Sequence, residues 1–161
     1  MPKLQEDILQ SFENPQHQVL LNVLFTSAFI KQAATTILKP HGLTWQQFSI
    51  MRSLRALDGK PASMRMLQER MLDPQSNASR LVDKLVHKSL VNRVTSDHDR
   101  RQVGVTLTPQ GEELMKTTGK KMSKLLQASG GDVDPAELEK ASDVLDKFRD
   151  GLRGYVKTLG N

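Results

Sequence analysis

Between positions 76 and 101 the chain gathers side chains suited to one kind of chemistry. Ser76, Asn77, Ser79, Arg80 and Lys84 fall at helical spacing, and Asp99, Arg100 and Arg101 follow in a polar stretch. Short hydroxyl and amide groups exchange hydrogen bonds with base edges, while guanidinium and ammonium groups are drawn to phosphate. Other chemistries find less material. His17, His41, His87 and His98 are scattered over four expected elements, and none forms a His-x-x-x-His or H-E-x-x-H pair for zinc. The absence of Cys excludes disulfides, thiolate metal sites and cysteine nucleophiles, which fits a reducing cytoplasm. No phosphate-cradling glycine loop or nucleophile elbow is present, and Gly151-x-x-Gly154 lacks the basic surround of an RNA-binding loop. The expectation is a protein that is not an enzyme and uses no cofactor or metal.

The charge distribution points the same way. The whole chain of 161 residues carries +5, but Lys60–Arg101 holds nine basic and five acidic residues. Met1–Gly59 is close to neutral, and Gln102–Asn161 balances nine bases with nine acids. A basic excess confined to one segment favours a polyanionic partner through counterion release, although a solvated charged surface has the same composition. The acidic start of the chain reads as no signal peptide, and no unbroken apolar run of about 18 residues is present, so no membrane partner is expected.

The elements that must position these groups are mostly helical. Asn14-Pro15 is a cap-and-proline start for a helix reaching Lys39, where Pro40 and Gly42 end it. Thr44 and Gln47 form a capping-box pattern ahead of Trp45, Phe48, Met51 and Leu54. Asp58-Gly59 marks a turn, Ser63 opens a short helix with Met64, Leu67 and Met71 on one stripe, and Asp73-Pro74 reads as the start of a fourth helix reaching Lys88. Two helices so closely spaced have the connection of a helix-turn-helix. The period then changes from 3.6 to 2: Leu90–Thr95 and Gln102–Leu107 read as strands, joined by a hairpin over Ser96–Arg100. Thr108-Pro109 opens a fifth helix to Gln127, Ala128–Val133 reads as a loop, and Asp134-Pro135 opens a sixth helix to Leu159. Gly119, Gly151 and Gly154 inside these helices read as bends or close contacts. The fold class expected is mainly α (α+β), in the order α-α-α-α-β-β-α-α.

On a helical wheel Ala78, Leu81, Val82 and Leu85 cluster on one side of the fourth helix. Ser76, Arg80, Asp83 and His87 face the other way, flanked by Asn77, Ser79 and Lys84. A helix fits the major groove and presents its N-terminal turns to the bases, and its dipole suits phosphate. Asp83 is the misfit, expected to pair with Arg80 or His87 or to mark the edge of the footprint. The hairpin tip places Arg100 and Arg101 where a neighbouring minor groove would lie, with Asp99 able to brace a guanidinium.

These residues resemble a known family. Asp99-Arg100-Arg101, followed by Val103-x-Val105-x-Leu107-Thr108-x-x-Gly111, is similar to the wing signature of MarR/SlyA-type transcriptional regulators. Asn77–Leu85 resembles that family's recognition helix, and Leu90-Val91-x-Arg93 its first wing strand. The resemblance implies one domain over 1–161, with a winged helix-turn-helix lobe over 43–108 and a helical dimerisation region over 14–40 plus 109–159. It implies a homodimer on double-stranded DNA, with Ser76, Asn77, Ser79 and Arg80 at the major groove, Arg101 in the minor groove and Asp99 holding it. Ser89 departs from the family, which usually has Gly there; a positive φ at Ser89 would cost about 1 kcal/mol.

The first, fifth and sixth helices carry more apolar surface than one small winged lobe buries, which calls for a second copy. The regulator expected is a repressor on a palindromic operator, tuned by an aromatic or lipophilic small molecule. Phe25, Phe29, His41, Trp45 and Met51 are the candidates to line its cleft, although each taken singly reads more readily as core. The alternative is an architectural DNA-binding protein without ligand control.

Overall fold

A computed structural model describes residues 4, 11–71, 77–95 and 103–159. It divides the chain into two compact units, Met1–Ser123 and Lys124–Asn161. Helix α1 (Pro15–Leu38) starts as its cap predicts, with the Asn14 side chain accepting from the His17 N–H and Pro15 in the first turn. A single 3-10 turn, Lys39–His41, ends at Gly42, which takes the left-handed conformation at φ 63°. Helix α2 (Trp45–Arg55) is opened by a complete capping box: the Gln47 N–H donates to Thr44 Oγ1 at 3.2 Å, and the Thr44 N–H donates to Gln47 Oε1 at 3.0 Å. The turn after it is type I′, with Asp58 and Gly59 at φ 50° and 80° and a 3.0 Å bond from the Lys60 N–H to the Leu57 carbonyl.

Strand β1 (Ala62–Ser63) leads into helix α3 (Met64–Glu69), capped by the Ser63 hydroxyl. Helix α4 (Ala78–His87) follows, then strands β2 (Val91–Thr95) and β3 (Val103–Leu107). The sheet is antiparallel in the order β1-β3-β2, with Ala62 opposite Val105 on one side and Arg93 opposite Val105 on the other. Strand β1 was not expected, because two residues are too few to show a period. A side chain at Gly104 would meet Pro61 Cβ at 2.6 Å, so this strand's approach relies on a bare backbone.

Leu38, Phe48, Ile50, Met51, Leu54, Leu67, Val82, Leu85, Val91, Val105 and Met115 are buried together in the first unit. Helix α2 packs on α4 and β3, and α3 on α4 and β1. The fold is therefore mainly α with a small antiparallel sheet, in the order expected apart from β1 and the 3-10 turn.

Helix α5 (Pro109–Gly130) begins in this unit and extends three residues into the stretch expected to be a loop. Ala128 and Ser129 stay helical, and the connection to helix α6 (Pro135–Leu159) shortens to 131–134. The Asp134 side chain accepts from the Ala136 N–H at 2.8 Å and opens α6. Gly119 is a close contact, 3.4 Å from Arg55 Nη1 to a built Cβ, whereas Gly151 and Gly154 have open space beside them.

The junction of α4, β2 and α5 is knotted by one hydroxyl. Thr108 Oγ1 donates to the Ser89 carbonyl at 2.7 Å and accepts from the Gly111 N–H at 2.9 Å, while the Thr108 N–H bonds the Leu90 carbonyl. A Cβ on Gly111 would lie 2.1 Å from the Leu90 oxygen, so the first turn of α5 can rest on that peptide only without a side chain.

Gly111→Ala should lower the unfolding free energy by about 1–3 kcal/mol or more in urea titrations, since backbone rather than a flexible side chain must yield. Gly151→Ala, at an open helical position, should raise it by up to about 1 kcal/mol.

Candidate nucleic-acid interface

Helix α4 is placed by three apolar side chains and fixed at both ends. Ala78, Val82 and Leu85 are buried. The opposite side, with Ser79, Arg80, Asp83, Lys84 and His87, is exposed. This is the division that the wheel predicts. Asn77 also lies exposed at the helix start.

The start of the helix differs from expectation. Asn77, not Asp73, caps α4: its backbone is extended, and its Oδ1 accepts from the Arg80 N–H at 3.0 Å. Asn is as good a cap as Asp, and a capped helix cannot continue back through the cap. Residues 72–76 lie outside the described part, so the Asp73-Pro74 start and Ser76 are not placed. Gln68 of α3 adds a second anchor, its Oε1 accepting from the Ala78 N–H at 3.1 Å. The turn helix thereby holds the first amide of the outward-facing helix directly.

The other end is a Schellman closure. The Leu90 N–H bonds the Leu85 carbonyl and the Ser89 N–H bonds the Val86 carbonyl, with Leu85 and Leu90 both buried beneath. Ser89 occupies the left-handed position at φ 57°, as its place in the motif requires. Lys88 at the C-cap donates from Nζ to the Gly42 carbonyl, tying this end to the turn that follows α1.

Asp83 does not pair with Arg80 or His87. Its Oδ1 accepts from Arg93 Nη2 on β2 at 2.6 Å. The i−3 and i+4 partners are on its own helix, but β2 runs beside α4 and brings a planar guanidinium within direct reach. Arg93, Gln68 and Lys88 were not singled out as site residues from sequence. Only Arg93 carried a signal, as part of Leu90-Val91-x-Arg93.

The hairpin tip is not described: Asp99, Arg100 and Arg101 lie outside the described residues. The strands that carry it are present, in antiparallel register from Val91–Leu107 to Thr95–Val103.

The candidate effector residues lie on α1, on the turn after it and on α2. Phe25 and Phe29 stack edge to face on α1 with ring centroids 5.0 Å apart, and Phe29 is 58% exposed. Trp45 lies beside Phe48 with centroids 6.1 Å apart. Met51 is fully buried, in keeping with the core reading of that residue. His41 is half-buried, and its Nε2 is enclosed without a hydrogen-bond partner among the described residues. No group of three or more His, Asp or Glu able to hold a metal occurs among the described residues.

Comparison with known proteins agrees with this geometry. Residues 41–102 match the family model described as the MarR family. The chain is 28% identical over 124 residues to the uncharacterized HTH-type transcriptional regulator YhbI of Bacillus subtilis, covering 75% of this chain and 79% of that one. The structure of AbsC, a MarR family transcriptional regulator from Streptomyces coelicolor, superposes with a TM-score of 0.75 at 22% identity, over 90% of this chain and 99% of AbsC. Over residues 41–102 this chain resembles the MarR family, and its fold is that of MarR-family structures. CouR from Rhodococcus jostii RHA1, solved bound to p-coumaroyl-CoA, shares the fold with a TM-score of 0.69 at 22% identity, over 79% of this chain and 88% of CouR. The fold shared with these structures is a winged helix, and the corresponding elements here are α2, α3, α4, β2 and β3.

Asn77 has two separable tasks, capping α4 and facing outward. Asn77→Ala should cost about 0.5–2 kcal/mol of stability. Asn77→Asp keeps an acceptor at a helix N-terminus and should leave stability within about 0.5 kcal/mol or raise it. The same variant should bind duplex DNA more weakly, because a carboxylate then faces phosphate; parallel melts and DNA titrations check both.

Proposed function

We propose that this protein is a MarR-family transcriptional regulator, a homodimeric repressor that lays α4 of each copy in successive major grooves of a roughly palindromic operator. The observation that carries this reading is the outward face of α4: Asn77, Ser79, Arg80 and Lys84 stand exposed on a helix clamped at both ends. Its first turn contains no acidic residue, so the positive end of the dipole is left for phosphate. In the dimer the two helices would be about 34–36 Å apart, one turn of DNA. Arg100 and Arg101 at the hairpin tip would enter the flanking minor groove, with Asp99 directing Arg101. Occupying the operator would then block transcription from it.

The arms support a second copy. Helix α1 leaves Leu24 and Phe29 each 58% exposed, and α6 has no buried residue, with Tyr155 and Val156 each 64% exposed. Helix α1 with its 3-10 turn is apolar and long enough to cross a membrane by length and composition, although polar residues interrupt it. Fusion to a DNA-reading lobe favours a protein partner for that surface. Sedimentation should show a dimer at micromolar concentration; a monomer would remove the paired-groove geometry.

Control by a small molecule is the finer part of the reading. Phe25, Phe29 and Trp45 offer aromatic surface, and His41 Nε2 offers an enclosed polar atom without a partner among the described residues. CouR carries an aromatic acyl thioester on the same fold. An aromatic or lipophilic ligand would need to favour one spacing of the two α4 helices by about 1–3 kcal/mol to be a useful inducer. The turn after α1 is joined to the end of α4 by the Lys88–Gly42 bond, which provides a contiguous route for that bias.

Selection of bound sequences from a random duplex pool tests the whole reading. A palindrome held about 10³-fold or more above random DNA at physiological salt is expected, and a flat profile would favour the architectural alternative. Arg80→Ala should weaken operator binding by roughly 1–3 kcal/mol, and unchanged affinity would take α4 off the DNA.

A further inference from the structure

We propose that the Asp83–Arg93 ion pair is a specificity device, which holds Arg93 back from sequence-blind contact with phosphate and fixes the reading helix to the first wing strand. The inference rests on the DNA-reading role proposed for α4 and adds a function for two residues that this role leaves unexplained. A carboxylate on the outward face of a DNA-reading helix opposes binding unless it is occupied. Here it is occupied at 2.6 Å by a guanidinium from another element, not by a neighbour on its own helix. Both side chains are about half exposed, at 51% for Asp83 and 42% for Arg93, so the pair adds little to folding stability. Its effect falls on the surface instead. It cancels one positive and one negative charge beside Arg80 and Lys84, and it sets the direction of a side chain that would otherwise sweep the solvent.

A free arginine at this place would gain from any phosphate within reach, whatever the base sequence. Such contacts raise affinity for all DNA and erode discrimination, which depends on the difference between right and wrong sites. Asp83 competes with phosphate for Arg93 from a fixed position. It also restrains β2 relative to α4, so that helix and hairpin meet the duplex in one relative orientation.

The test is Asp83→Asn, titrated across a salt series against a duplex of random sequence and against the sequence recovered by selection, with thermal melts alongside. Affinity for the random duplex should rise about three- to tenfold at low salt, and its log–log salt slope should steepen by about one, the signature of one added phosphate contact. Affinity for the selected sequence should rise less or fall, so that the ratio between the two narrows. The melting midpoint should stay close to that of the wild-type protein. Equal gains on both duplexes would make Asp83 a bare negative charge and overturn the proposal. An unchanged slope on random DNA with an intact fold would overturn it as well. A wild-type protein without sequence preference would count against the operator reading alone, and the random-duplex slope would still decide the role of Asp83. Asp83→Asn combined with Arg93→Gln should return the slope to the wild-type value; a slope still steepened in the double variant would assign the new contact to another residue and reject Arg93.

Discussion

The outward helix is useful only because its C-terminal end is anchored to something rigid, and that anchor is the Thr108 hydroxyl. It donates to the Ser89 carbonyl, just past the end of α4, and accepts from the Gly111 amide, in the first turn of α5. One side chain thus satisfies the carbonyl of the turn that closes α4 and an orphan amide of the long helix. Gly111 allows the two backbones to meet, and the buried Leu85 and Leu90 side chains close the space beneath. The Leu107-Thr108-x-x-Gly111 signature is therefore a joint between the end of α4 and the first turn of α5.

Ser89 shows how far that joint constrains the chain. The residue takes φ 57° although it is not glycine. Side chains other than glycine disfavour that region by about 1 kcal/mol, and such a conformation persists only where the surroundings over-determine it. Here they do: both Schellman bonds, the Thr108 hydroxyl and the Lys88 tether at the preceding residue converge on one turn. The cost is local, and the orientation it maintains is that of the whole outward face.

Much of this was readable from residue order. Caps at Asn14, Thr44, Ser63 and Asp134 announced their helices because each is a local pattern of one side chain and one amide. The inward face of α4 followed from 3.6-residue periodicity, and the change to period 2 marked β2 and β3. What escaped were pairings between distant segments. Strand β1 is too short to have a period, and the partner of Asp83 is ten residues away on a different element. The cap at Asn77 was overlooked because Asp73-Pro74 offers the same chemical signal four residues earlier. Met51 stayed open between core and cleft because a buried and a cleft-facing methionine have the same helical spacing, and it is fully buried.

The arms pose the reverse problem, since their sequence promises burial that a single chain does not supply. Helix α1 buries only Ala34 and Leu38, both near its C-terminal end, where it meets α2. Leu20, Val23, Leu24, Phe29 and Ile30 of α1 are exposed, as are Leu138, Val144, Leu152, Tyr155, Val156 and Leu159 of α6. Contiguous exposed apolar surface of this kind disfavours an isolated soluble chain and is relieved by a partner. If that partner is a second copy, the buried end of α1 becomes a fulcrum. It is joined to the lobe through the 3-10 turn and Gly42, and Gly42 accepts the Lys88 ammonium from the end of α4. A displacement of the arms would then reach the reading helix through one turn and one hydrogen bond, without any rearrangement of the lobe's core.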